Sequence, residues 1–89
     1  MDAPNRPNPF GPETVLVFSV PATLDVHLSV FDVTGRLITT LVDDRLVAGR
    51  HEIRWNGRSG DGTSVAPGVY FYRVDAGPFR ETRRMVRLR

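Results

Sequence analysis

Pro67-Gly68-Val69-Tyr70-Phe71-Tyr72-Arg73-Val74 decides the fold. The Pro-Gly pair is turn chemistry. Five of the six residues after it are β-branched or aromatic, the types that suit a pleated surface. A run this short between turn signals is a strand rather than a helix. Apolar side chains on both sides of the pleat predict a central strand buried on both faces.

The segments on either side fit around such a strand. His51 to Trp55 alternates, with Ile53 and Trp55 on one face, and it ends in Asn56-Gly57 and Gly60-Asp61-Gly62, dense turn chemistry. Further upstream, Leu16, Phe18 and Val20 share a face until Pro21, and Val26, Leu28 and Val30 share another until Asp32-Val33-Thr34-Gly35 turns the chain. Arg36 to Val42 is strand-like, with Asp43-Asp44 expected to break it. Downstream, Gly77-Pro78 turns the chain into a last strand, Phe79 to Leu88, where Arg83, Arg84 and Arg87 lie between Met85, Val86 and Leu88. No window carries a helical stripe. Short alternating segments with turns roughly every 8–12 residues predict an all-β, antiparallel β-sandwich of about seven strands. Trp55 is its expected core anchor, with a backbone carbonyl to take the indole N–H.

Eighty-nine residues make one domain. Residues 1–12 read as a Pro/Asn-rich linker and 13–89 as the sandwich. The linker is expected to be extended because its prolines fix φ and remove donors. Phe10, its one large apolar group, is expected to plug into the edge of the domain. The first seven residues lack an apolar stretch, so no signal peptide is expected in this chain. No run approaches the ~18–20 apolar residues of a membrane span, so membrane insertion is not expected.

The polar residues do not assemble a reactive centre. Cysteine is absent, which excludes disulfides and thiolate chemistry. His27 and His51 fall on different strands and make a poor zinc set. Ser59 lies in Gly57-Arg58-Ser59-Gly60, which fails the G-x-S-x-G spacing. Asn56, Asp61, Asp43 and Asp44 are oxygen donors for a structural calcium, but the EF-hand register is not met, so no cofactor is expected. The stretch Gly57 to Gly62 lacks phosphate-loop spacing. No enzymatic activity follows from such a set.

Charge is more informative. All 12 basic residues are arginine. Five of them fall between Arg80 and Arg89 against one acid, while the first 79 residues hold seven arginines and nine acids. Nucleic-acid binding would want stacking aromatics beside these arginines, and the Tyr70-Phe71-Tyr72 run reads as core instead. Arginine on an edge strand blocks edge-to-edge aggregation, and such a strand is also what a partner recognises by strand addition. A carbohydrate platform would have to use Phe31, Phe71 or Phe79.

Several motifs occur in a telling order: Pro7-Asn8-Pro9-Phe10, then Val17-Phe18-Ser19-Val20-Pro21, then Val30-Phe31-Asp32-Val33-Thr34-Gly35-Arg36. Leu46 to His51, Trp55-Asn56-Gly57, Pro67 to Arg73 and Arg84-Met85-Val86 follow. Together they resemble the C-terminal sorting domain of type IX (Por) secretion cargo, which overlaps with the immunoglobulin-like domain of the flagellar hook-capping family. The resemblance spans Pro7 to Arg89. It implies an Ig-like or fibronectin-III-like sandwich that is a non-catalytic C-terminal module of a longer secreted protein. It would act as a sorting and cell-surface attachment signal, reaching the surface via the periplasm. Its implied partners are the parent polypeptide and the translocon and shuttle proteins of the outer membrane. The implied partner-binding residues are Gly68 and Tyr70, with Arg84, Met85, Val86, Arg87, Leu88 and Arg89. A carbohydrate-binding or passive Ig-like accessory module of an extracellular enzyme is the alternative. Exposed terminal strands also permit a homodimer by strand pairing.

Overall fold

Alternation in the sequence becomes two facing sheets because each strand has one face that must leave water. The computed structural model of the chain describes residues 4–88. Its strands are β1 (Asn5–Arg6), β2 (Thr14–Val20), β3 (Leu24–Asp32), β4 (Leu37–Leu46), β5 (Gly49–Trp55), β6 (Gly68–Ala76) and β7 (Phe79–Arg87). They form an antiparallel Ig-like sandwich, with one sheet in the order β1-β2-β5 and the other β4-β3-β6-β7. Leu16, Phe18 and Val20 from β2 meet Val26, Leu28 and Val30 from β3 and Tyr70, Tyr72 and Val74 from β6 in the core. Trp55 at the end of β5 is buried there, and its Nε1 donates to Arg58 O at 2.9 Å, the backbone carbonyl that a buried indole needs.

Three local readings differ from the sequence expectation or sharpen it. Asp43 and Asp44 do not break β4, which runs on to Leu46 opposite Leu24. β4 is an edge strand and both aspartates are solvent-exposed, so their charges stay hydrated while the backbone keeps its ladder. β6 is central, between β3 and β7, but only one of its faces is fully buried. Val69, Phe71, Arg73 and Asp75 on the other face are half-buried, because among the described residues no further layer covers that side. The Pro/Asn-rich opening, from residue 4 on, is extended and lies along the edges of both sheets. Asn5 and Arg6 pair with Leu16 and Val15, and Val17 N donates to Pro4 O at 2.9 Å. The chain then crosses to the other sheet, where Phe10 makes a parallel bridge to Arg87 of β7.

Phe10 is 1% exposed and its ring lies 5.7 Å from that of Trp55, which in turn meets Tyr70 edge-on at 5.9 Å. Removing the Phe10 ring empties the junction where both sheets and the opening segment converge. Phe10→Ala should lower unfolding free energy by about 3–5 kcal/mol, measured by urea denaturation of the 89-residue chain. A loss below about 1 kcal/mol would place Phe10 outside the cooperative core.

Candidate functional site at the terminal strand

The basic strand β7 sorts its residues by direction. Cross-strand pairing with β6 sets Met85 opposite Tyr70 and Arg83 opposite Tyr72 on the inner face, where Met85 enters the core and Arg83 reaches solvent at its edge. Arg84, opposite Phe71, and Val86, opposite Val69, face outward. Met85 is fully buried. Tyr70 is buried too, and its hydroxyl donates to Ala66 O at 2.6 Å. Gly68 opens β6 at φ +149°, a backbone conformation that L side chains rarely adopt. Gly68, Tyr70 and Met85 therefore belong to the framework of the strand pair.

Arg87 is anchored rather than offered. Its Nη1 donates to Gly57 O at 2.6 Å and to Val65 O at 2.9 Å, tying the end of β7 to both ends of the loop between β5 and β6. Gly57 has φ +70°, and a Cβ there would lie 2.6 Å from the Arg87 guanidinium carbon. Backbone conformation therefore calls for glycine, and a side chain there would push the guanidinium off its two carbonyls. Arg83 pairs with Glu81 at 2.8 Å. Among the described residues, the implied partner-binding set leaves three outward-facing or exposed members: Arg84, Val86 and Leu88, the last 51% exposed. Arg89 lies outside the described residues.

The opening segment defines which part of the β7 edge is already occupied. Asn8 Oδ1 accepts from Val86 N at 3.0 Å, and its Nδ2 donates to Arg84 O at 3.5 Å. Phe10 N donates to Val86 O at 3.0 Å, and Leu88 N donates to Phe10 O at 2.7 Å. The Asn8 side chain thereby imitates a stretch of strand backbone that proline cannot supply on either side of it. By the alternation of an antiparallel ladder, the N–H groups of Thr82 and Arg84 point the same way, away from β6. Among the described residues no strand lies beside that stretch, so β7 is capped from the Arg84 carbonyl onward and open from Arg80 to the Arg84 N–H.

The other polar residues singled out in the sequence are scattered. His27 on β3 shares a hydrogen bond with Ser29 Oγ at 3.1 Å, whereas His51 on β5 donates to Val47 O at 2.7 Å. Asn56 Oδ1 accepts from Arg58 N at 3.2 Å. Asp61 accepts from the Ser59 hydroxyl and from Thr63 N at 3.0 Å, the turn role expected of such residues. Among the described residues, no group of three His, Cys, Asp or Glu side chains is placed to hold a metal ion. Phe79 is 45% exposed at the start of β7, while Phe31 carries the Arg73 guanidinium over its ring, 5.1 Å from the centroid.

A family model described as the FlgD Ig-like domain matches residues 11–77. The chain belongs to that family. The match stops short of β7. Among curated proteins, none matches the sequence. Solved structures cover more of it. PorZ of Porphyromonas gingivalis, described as an essential bacterial surface component of the type IX secretion system, aligns with 98% of this chain at 25% identity and a TM-score of 0.69. Dimeric latent PorU of the same organism aligns with 98% at 24% identity and a TM-score of 0.77. FlgD of P. aeruginosa aligns with 83% at 19% identity and a TM-score of 0.66. The chain spans 11% of PorZ, 9% of PorU and 57% of FlgD. The latter two likenesses, under a quarter identical, speak for the fold.

Two predictions test this anchoring. Gly57→Ala should cost about 2–3 kcal/mol in the native background, with roughly 1 kcal/mol of it from the positive φ. In an Arg87→Met background the same substitution should cost only that smaller part, and a double-mutant cycle from thermal unfolding measures the difference. Asp61 provides a pH test. The Ser59 hydroxyl and the Thr63 N–H hold its carboxyl down to about 2. Because the folded value lies below the unfolded one of about 3.9, its contribution is complete above the unfolded value and is lost as pH falls toward 2. Side-chain carboxyl NMR should give a midpoint near 2 for Asp61, moving toward the unfolded value in Ser59→Ala.

Proposed function

We propose that this domain is a non-catalytic C-terminal module of a secreted bacterial protein, read by outer-membrane secretion components as a type IX sorting and cell-surface attachment signal. The observation that carries the reading is the division of β7. Its inward side chains and its capped end fix the strand in the fold, while Arg84, Val86, Leu88 and the open backbone edge at Arg80–Arg84 remain presented. A short exposed edge with cationic side chains suits recognition by strand addition, in which backbone hydrogen bonds supply affinity and side chains supply selectivity. The likeness to a domain within PorZ, a bacterial surface component of that secretion system, supports the same reading. Asp61, the loop carboxylate singled out as an oxygen donor, is held by its own turn.

The test uses the parent protein in a host with a type IX translocon. Thr82→Pro removes an outward N–H without touching the β6 ladder, and Leu88→Glu reverses the character of the exposed end. Each should leave the domain folded by circular dichroism, yet hold the parent in the periplasm. Normal surface display of both variants would overturn the reading and leave a passive appendage.

A further inference from the structure

The outer face of the β4-β3-β6-β7 sheet carries an apolar row that the core does not use and that reaches the terminal edge only at Arg84 and Val86. Register places Leu37 beside Phe31, Phe31 opposite Phe71 and Phe71 opposite Arg84, one residue from each of four strands. Val69 and Val86 form a second pair beside it. Leu37 is 52% exposed and Val33, in the turn above, 67%. Phe31, Phe71, Val69 and Val86 are half-buried. Between Phe31, Val33, Phe71 and Thr82, with Asp32 and Arg73 also in its lining, runs an open groove of about 350 Å³. That is at the small end of ligand-sized clefts, which begin at roughly 300 Å³.

The charges around it are unbalanced. Arg73 and Arg80 share Asp75, at 3.0 and 2.5 Å. Asp32 spends its Oδ1 on Thr34 N, Thr34 Oγ1 and Arg36 N, at 2.8, 2.6 and 3.1 Å, and Arg36 lies close enough to help lower its pKa. Arg84 has no acidic partner among the described residues. Beside the groove, Arg36, Arg73 and Arg84 thus stand against Asp32 and Asp75, which leaves Arg84 as the uncompensated charge. An apolar centre with a positive rim attracts acidic partners and rejects basic ones. Arg73 covers one face of the Phe31 ring, 5.1 Å from its centroid, so an incoming side chain meets the other face and Phe71.

We infer that this face docks an acidic protein segment that lays one aromatic side chain over the Phe31–Phe71 pair and sets its carboxylates against Arg84 and Arg36. Arg84 and Val86 are shared with the export reading, but Phe31 and Phe71 are not, so Phe71→Thr separates the two. The test is a titration of the ¹⁵N-labelled 89-residue chain with three peptides, at concentrations up to about 2 mM because a single-anchor contact is weak. One has the core Glu-Asp-Phe-Glu-Asp, one replaces the acids by Lys, and one replaces Phe by Ala. Amide shifts at Phe31, Phe71, Arg84 and Val86 are expected with the acidic Phe peptide alone. Arg84→Glu should weaken binding about fivefold, and Phe71→Thr should abolish it. Folding of both variants is checked by the native-like dispersion of their spectra. Equal response to the Lys peptide, shifts confined to another surface, or no response at all would each overturn the inference. Concentration-dependent shifts at the same residues without peptide would assign the face to a second copy of the chain and overturn it as well.

Discussion

The sandwich depends on the contact of Phe10 with Trp55. Two constraints meet there. The indole closes one end of the core between the sheets, and the phenylalanine that covers it belongs to the segment whose backbone is bonded to the last strand. Burial of Phe10 is thus coupled to the capping of β7, since its N–H and carbonyl hold Val86 and Leu88 while its side chain is held inside. In a domain of this size, which has little core to spare, one contact that serves burial and edge capping together does the work of a longer strand.

That coupling explains how a proline-rich stretch serves a β-sheet protein. Proline cannot extend a ladder on both sides, so the opening pairs only briefly with β2 and then crosses to β7. At the crossing, the Asn8 side chain supplies the acceptor and donor that the backbone lacks. Thr14 adds a stitch by donating its hydroxyl to Pro7 O at 2.9 Å. The result is an edge closed where the strand ends and open where it begins. Edge strands are normally defended by charge, and here arginines at positions 80 and 84 flank the open part.

Much of this was legible in the residues. Period-two alternation marked the core faces of β2, β3 and β5, and the indole of Trp55 announced its need for a carbonyl. The plug role of Phe10 followed from one large apolar group in a polar stretch. Other features were hidden because they depend on neighbours distant in sequence. Continuous hydrophobicity in Val69–Val74 cannot distinguish a strand covered on both sides from one whose second face is a surface patch. Nor does an arginine-rich strand reveal which guanidinium is consumed. Arg87 and Arg84 look alike in the sequence, yet one is locked between Gly57 and Val65 and the other has no acidic partner among the described residues. The signal for the difference was Gly57, whose turn is also the seat of that arginine, and it becomes readable only once loop and strand are known to touch.

The same division limits what any receptor of this domain can read. Met85 and Arg87 cannot be grasped without emptying the core or releasing the β5–β6 loop, and both steps undo the Phe10 junction. A receptor that required an unfolded tail would have to dissolve most of the domain to obtain three or four side chains. One that accepted the folded module would find Arg84, Val86 and Leu88 already ordered, with their conformational entropy spent in folding rather than in binding. On the proposed reading, the address is therefore the folded edge and not the linear sequence. Substitutions at Phe10, Trp55 or Gly57, far from any receptor, would then erase it as thoroughly as changes to the arginines themselves.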